Sequence, residues 1–231
     1  MGEEREIGLR LGAAAALVAA AVLTHPAGLG AQQPPAELRW GGDSEGGAPY
    51  VEANRLDPSK LEGFDVDIAA ALAAGLGRTP RFVQVQWDQI DSAVLRGDFD
   101  IGLSGVEDRP ARRARLLTTI PYFEFREVLT VREADRDRFH TLDDLRGRRV
   151  GTLGSTLAYE ILLNARGTLN IEPISYDDDV HPYTDLVTGR VDAVLLDHII
   201  AGRAMRHITG LVTHPEAVAL GHYIGVLAPG N

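Results

Sequence analysis

A single arginine, Arg112, stands between two segments that could present it to a small anion. Asp98-Phe-Asp-Ile-Gly-Leu-Ser-Gly105 precedes it, and Ile120-Pro-Tyr-Phe123 follows it. The order of residues predicts a strand, a tight turn at Ser104 and Gly105, the cation, and an extended return. A guanidinium can hold a carboxylate through two parallel hydrogen bonds, and free turn amides can add donors to the same anion. The segment therefore predicts a clamp for a small anion.

The whole chain has the composition of a soluble globular protein. It has 231 residues, 45% of them hydrophobic and 24% charged, and it has no cysteine. A formal net charge of −10 argues against nucleic acid or an anionic membrane surface as the main partner. Without cysteine the chain can form no disulfide, thiolate metal site or thiol nucleophile. It has no phosphate-binding loop, and Gly102-Leu-Ser-Gly105 is one residue too short for a nucleophile elbow.

The first 31 residues differ from the rest and predict an export signal. Residues 11–23 are thirteen apolar or small residues, about 20 Å long as a helix and shorter than the roughly 30 Å hydrocarbon core of a bilayer. Arg10 precedes this run, and the small residues before Gln32 predict cleavage near Ala31. Three glutamates at positions 3, 4 and 6 cancel the positive charge expected there. An uncleaved anchor or a misplaced start codon therefore stays open as an alternative.

After residue 31 the hydrophobic pattern alternates between strands and helices. The first half predicts strands at 38–40, 82–85 and 99–103 and helices at 68–76 and 90–95. The second half predicts strands at 149–153 and 191–196, helices at 157–165 and 183–187, and extended runs at 127–131 and 223–227. We therefore expect an α/β chain in which residues 32–128 form one lobe, 129–221 a second lobe and 222–231 a return crossover. Two crossings between lobes predict a hinge.

Six short motifs, in this order and spacing, resemble bacterial extracellular solute-binding proteins of family 3, the polar amino-acid receptors of ABC importers. They are Gly63-Phe-Asp-Val-Asp67, Gly97-Asp-Phe-Asp-Ile101, Arg112 with Pro121-Tyr122, Leu142-Asp-Asp-Leu-Arg-Gly147, Gly154-Ser-Thr156 and Gly189-Arg-Val-Asp-Ala-Val-Leu-Leu-Asp197. The resemblance covers about residues 38–231. It implies a type II periplasmic-binding-protein fold, in which two lobes joined by a two-strand hinge close over one amino acid. It also implies a monomer without a cofactor, a periplasmic location and an inner-membrane ABC permease as partner.

The resemblance gives individual residues a role. Arg112 is similar to the clamp on the ligand α-carboxylate, and Ser104 and Gly105 are similar to the turn that lines that site. Ser155 and Thr156 would be the second lobe's share, at a helix N-terminus. Asp197 would accept from the ligand α-ammonium, Asp43 would be a polar contact of the first lobe, and Trp87 would be an aromatic wall for the ligand side chain.

Each of these assignments has a structural alternative that the residues leave open. Arg112 lies among other arginines, so it also fits an exposed helix face. Asp197 could cap the helix that follows it, and Ser155 and Thr156 could do no more than cap theirs. Trp87 fits a core position as well as a binding platform.

One position departs from the family pattern. Glu107 stands where members usually carry Ser or Thr, whose hydroxyl helps to hold the ligand. A carboxylate near Arg112 would weaken the binding of a simple acidic ligand, and together with Glu45 it favours a polar or cationic side chain. The run Asp177-Asp-Asp179 lacks the Gly and the distal Glu of a calcium loop, so we expect a solvated helix start there and assign no metal.

The sequence leaves the context of the receptor open. Family chains usually continue beyond the equivalent of Asn231 into one or two helices, so we expect a truncated chain or one fused to its permease. No cysteine follows the leader to carry a lipid, which predicts a free periplasmic protein or one tethered by its leader or permease. A sensory module that reports ligand to a kinase or receptor is an alternative. A dehydratase on the same scaffold, with Glu107 as its acid, is another.

Overall fold

A computed structural model describes residues 36–230 of the chain. The predicted export signal therefore lies outside the described residues. The strands are β1 Glu37–Gly42, β2 Glu52–Ala53, β3 Leu61–Glu62, β4 Thr79–Gln84, β5 Ile101–Gly102, β6 Leu117–Thr118, β7 Phe123–Arg132, β8 Arg149–Leu153, β9 Glu172–Tyr176, β10 Ala193–Asp197, β11 Leu211–Tyr223 and β12 Val226–Leu227. The α-helices are α1 Phe64–Gly75, α2 Ile90–Arg96, α3 Pro110–Arg113, α4 Leu157–Leu169, α5 His181–Thr188 and α6 His198–His207. Short 3₁₀ turns occupy Trp87–Gln89, Glu133–Asp135 and Leu142–Leu145.

The first lobe is built on a five-stranded sheet with the order β4-β1-β5-β12-β6. Strand β1 pairs in parallel with both β4 and β5, and α1 and α2 make the crossovers that parallel strands require. Helix α2 ends at Gly97, whose φ of 79° is the left-handed conformation that glycine adopts without strain. Because β1, β4 and β5 run in the same direction, the loops that follow them meet at one edge of the sheet.

The second lobe repeats this design. Its five-stranded sheet has the order β11-β7-β10-β8-β9. Strand β10 is buried along its whole length, which explains its continuously apolar sequence before Asp197. Strands β8, β9 and β10 are parallel, so the loops after them also meet at one edge. Helix α4 covers this sheet and buries Ala158, Leu162 and Ala165 at helical spacing.

The chain passes between the two sheets twice. Strand β6 belongs to the first sheet and β7 to the second, and β11 belongs to the second and β12 to the first. The crossings therefore lie at residues 119–122 and 224–225. The boundary expected between residues 128 and 129 falls inside β7, which stays in the second sheet because it pairs with β11 from Phe123 to Arg132. Among residues 36–230, no helix is long and apolar enough to cross a membrane.

Candidate functional site

A cavity of about 430 Å³ lies between the two lobes. Its walls come from the loops that follow β1, β4, β5, β8, β9 and β10, the carboxyl ends of the parallel strands of both sheets. Ligands of open α/β sheets bind at such edges, and cavities of about 300 to 1,000 Å³ hold small organic molecules. The topology of the chain thus builds one ligand-sized site from two lobes.

Eight of the nine residues predicted for the site line this cavity. They are Asp43, Trp87, Ser104, Gly105, Glu107, Ser155, Thr156 and Asp197. The ninth, Arg112, is not among the lining residues in the described part of the chain. The shared location agrees with the alignment of the six motifs to the family, and each of these residues also has contacts within the protein.

Arg112 is held by the protein itself. Its Nε donates to both carboxylate oxygens of Asp91, at 2.8 and 3.0 Å, and one of its terminal nitrogens donates to the main-chain carbonyl of Glu107. Its guanidinium carbon lies 5.9 Å from the ring centroid of Trp87. The side chain is only 10% exposed, so the alternative of a solvated helix face is not observed. The ligand contact predicted for Arg112 stays a prediction.

The turn at Ser104 and Gly105 is also engaged from within. The amides of both residues donate to one carboxylate oxygen of Asp65, at 2.8 and 2.6 Å. The hydroxyl of Tyr122 donates to the other oxygen at 2.9 Å. Burial raises the pKa of Asp65 although these donors favour its charged form. Gly105 has a φ of 63° and lies against the Tyr50 ring, where an added Cβ would come within 2.8 Å of a ring carbon. The turn amides predicted to meet a ligand anion therefore meet Asp65.

Glu107 crosses the cleft. Its Oε2 accepts a hydrogen bond of 2.7 Å from the amide of Leu157, in the first turn of α4. Arg109 follows the same path, donating to the main-chain oxygen of Ser155 at 2.6 Å and pairing with Glu160. Burial raises the pKa of Glu107 to about 7, against the opposing effects of the Leu157 amide and of the nearby arginines. The carboxylate at this helix N-terminus is thus a side chain of the protein.

Asp197 has both of the roles that the sequence left open. It caps α6, because its Oδ1 accepts from the amides of Ile199 and Ile200 at 2.8 and 2.9 Å, and it also lines the cavity. The hydroxyls of Tyr50 and Tyr223 lie beside its carboxylate. Burial raises its pKa, opposed by these four donors. The carboxylate is therefore available at the cavity wall as an acceptor.

Three of the remaining predicted residues, Asp43, Trp87 and Thr156, are linked to other wall residues or to their helix. One oxygen of Asp43 accepts from the Trp87 amide at 3.1 Å, and the indole nitrogen of Trp87 donates to the Ser104 carbonyl at 2.8 Å. Thr156 is the N-cap of α4, accepting from the Tyr159 amide at 3.1 Å while its hydroxyl donates to Leu153. These bonds hold the wall of the cavity in place.

Comparison with known proteins agrees with this geometry. The profile of the bacterial extracellular solute-binding proteins, family 3, matches residues 44–207. The chain belongs to this family. It is 30% identical over 146 residues to the L-cystine-binding protein TcyJ of Escherichia coli (strain K12), a match that covers 63% of this chain and 54% of that protein. It is 26% identical over 167 residues to ABC transporter arginine-binding protein 1 of the same strain, covering 72% of this chain and 67% of that one. The chain thus spans about half the length of the cystine-binding relative.

A solved structure has the same architecture. An ancestral arginine-binding protein bound to arginine superposes with a TM-score of 0.76 at 25% identity, covering 84% of this chain and 85% of that one. The predicted two-lobe α/β fold of the solute-binding proteins is confirmed.

The cavity wall is rich in acidic and aromatic residues. Five lining residues are acidic: Asp43, Asp88, Glu107, Asp177 and Asp197. Four are aromatic: Tyr50, Trp87, Tyr159 and Tyr176. No lysine, arginine or histidine is among the described residues that line the cavity.

Five of these nine residues were not predicted for the site. Asp88 follows Trp87, and Asp177 opens the acidic run that we assigned to a solvated helix start, so both carried a weak signal in the sequence. Tyr50, Tyr159 and Tyr176 carried none, because only the packing of the two lobes brings them to the cavity.

Proposed function

We propose that this protein is an extracytoplasmic receptor that binds a small nitrogenous solute, either an amino acid or the amine that an amino acid leaves when it loses its carboxylate. The observation that carries the proposal is the ligand-sized cavity walled by the strand ends of both lobes. A ligand held by both lobes stabilises the closed arrangement over the open one, and a receptor needs this difference in order to signal that it is loaded.

Contacts across the cleft support closure as the mechanism. Glu107 of the first lobe bonds to α4 of the second. Arg203 on α6 of the second lobe donates to Glu52 of the first lobe at 3.1 Å, while it holds Asp179 of its own lobe at 2.8 Å. The two crossing segments at 119–122 and 224–225 give the lobes a hinge about which to separate. The proposed partner is the inner-membrane permease of an ABC importer, reached from the periplasmic side.

A binding screen tests the proposal. The purified protein is heated with each of the twenty amino acids, their decarboxylated amines and, as controls, simple sugars. A ligand at 100 times its Kd adds about 2.7 kcal/mol of stability, which raises the melting temperature of a chain of this size by about 5 to 10 °C. We expect a rise confined to one or a few nitrogenous compounds. No rise with any of them in a folded sample contradicts the proposal.

A dehydratase on the same scaffold is the second candidate, because Glu107 has the raised pKa that suits a general acid near neutral pH. We favour binding, in line with the family to which the chain belongs. A turnover assay separates the two: a receptor returns its bound ligand unchanged after hours at high protein concentration. The alternative of a sensory role is tested by adding the loaded receptor to vesicles that contain the permease and measuring ligand uptake. Uptake supports the transport role over the sensory one.

A further inference from the structure

Glu107 places a carboxylate of the protein at the helix N-terminus where the family resemblance implies the carboxylate of a ligand. The residue is 6% exposed, lines the cavity and bonds through Oε2 to the Leu157 amide. Its Oε1 makes no hydrogen bond with the described residues. One oxygen therefore occupies the anion position, and the other is free for a donor that enters the cavity.

The donors that the first lobe was predicted to offer to a ligand carboxylate are engaged by carboxylates of the protein. Asp91 holds the Arg112 guanidinium and Asp65 holds the turn amides of Ser104 and Gly105. Arg112 and the turn amides are the first lobe's share of the groups predicted to hold a ligand carboxylate. Because each already serves a carboxylate of the protein, a second anion would have to displace a buried partner or go uncompensated.

The cavity wall suits a positive charge. Its five acidic residues line a space to which the described residues contribute no cation, and three of them, Asp43, Glu107 and Asp197, are buried. The four aromatic rings add electron-rich faces, which attract ammonium and guanidinium groups. The volume of about 430 Å³ is far larger than a metal ion needs and fits an organic molecule.

We propose that the ligand of this site is an organic cation without a carboxylate, an amine or guanidine on a short stem, and that Glu107 supplies the carboxylate that an amino acid would bring. Asp197 and Glu107 would each accept from a cationic end or amine of the ligand. The inference rests on the proposed receptor function and narrows its ligand class.

Matched pairs of compounds test the inference without any mutation. Agmatine and arginine, cadaverine and lysine, and cystamine and cystine differ within each pair only in carboxylate groups, one in arginine and in lysine and two in cystine. Their affinities are measured by calorimetric titration at pH 8 and about 50 mM salt, where screening is modest. We expect the amine of the best pair to bind at least about tenfold more tightly than its amino acid, since each factor of ten is only about 1.4 kcal/mol.

Two variants then assign the preference to Glu107. Glu107→Gln keeps the shape and the acceptor for Leu157 but removes the charge, and we expect it to lower amine affinity at least about tenfold and to reduce the preference within the pair. Glu216→Gln removes an equal charge at an exposed position of β11 and should leave both affinities unchanged.

The outcomes are distinguishable. Tighter binding of the amino acid by the unaltered protein overturns the inference and leaves the receptor function standing. No binding of any of the six compounds overturns the inference, and the receptor function is contradicted only when the wider screen of amino acids and amines also gives no rise in a folded sample. A preference for the amine that survives in Glu107→Gln overturns the role given to Glu107.

Discussion

The buried charge of Glu107 should make the protein less stable as pH rises from acid to neutral. In the folded chain its pKa is about 7, against an ordinary value of 4.5, because burial disfavours the ionised form. The folded state therefore holds this proton more tightly than the unfolded state does, and stability falls as pH rises between the two values. At about 1.4 kcal/mol per pH unit, ionising Glu107 costs on the order of 3 kcal/mol above pH 7.

The substitution Glu107→Gln removes this cost while it keeps an acceptor for the Leu157 amide. We expect the variant and the unaltered protein to be about equally stable at pH 4.5. At pH 8 the variant should be more stable by about 3 kcal/mol, or about 6 to 12 °C in Tm. Glu127 and Asp197 also have raised pKa values through burial, and the charge of Glu107 raises that of Glu127 further, so removing it acts in the same direction.

Urea unfolding at a series of pH values, without ligand, is the assay. The informative quantity is the difference between the two free energies of unfolding, because contributions of other groups are largely shared. The exposed Glu216→Gln control should follow the unaltered protein at every pH. If the Glu107→Gln curve runs parallel to the unaltered one, Glu107 is not the buried, proton-holding carboxylate described above.

Three further substitutions test other contacts. Arg112→Ala leaves Asp91 without its partner and should cost roughly 2 kcal/mol in urea unfolding; a thirtyfold loss of ligand affinity at unchanged stability would instead establish the predicted carboxylate clamp. Glu52→Gln keeps an acceptor oxygen but removes the charge of the cross-cleft partner of Arg203, so ligand should dissociate about two- to fivefold faster in stopped flow, and an unchanged rate would show that this ion pair does not hold the closed lobes. Thr156→Ala should lower stability by about 1 kcal/mol and Thr156→Ser should restore it; equal loss in both would exclude capping.

Local patterns predicted the elements whose signals lie within them. Strand β8 has the predicted bounds, because its apolar run stands between an arginine and a glycine. Helix α1 begins at Phe64, four residues before the predicted start, since its polar first turn with Asp65 and Asp67 resembles a loop in sequence. Strand β11 was predicted only near its end. It contains Pro215, and its register against β7 shifts between Thr213 and Ala217. Its pairing partners on β7 are 79 to 100 residues away in the chain, so no local pattern predicts this strand.

The sequence likewise predicted some features of the site and not others. The positions of the six motifs predicted which loops form the cavity, because the residues after parallel strands must meet at one sheet edge. They could not predict hydrogen-bond partners, since Asp91 and Arg112 are 21 residues apart and Glu107 and Leu157 are 50 residues apart. Those pairs depend on the packing of α2 against α3 and on the closure of the lobes, neither of which leaves a periodic signal.

The position of Glu107 explains how one residue could change the charge of the ligand without changing the fold. A serine or threonine hydroxyl there could share an anion with the facing helix terminus, which carries partial positive charge. A glutamate is long enough to reach that terminus itself, and it does so at Leu157. The electrostatic requirement of the helix is then met inside the protein. A ligand that enters the cleft then meets the other acidic residues of the wall, Asp197 among them. A positive charge on the ligand would therefore favour its binding.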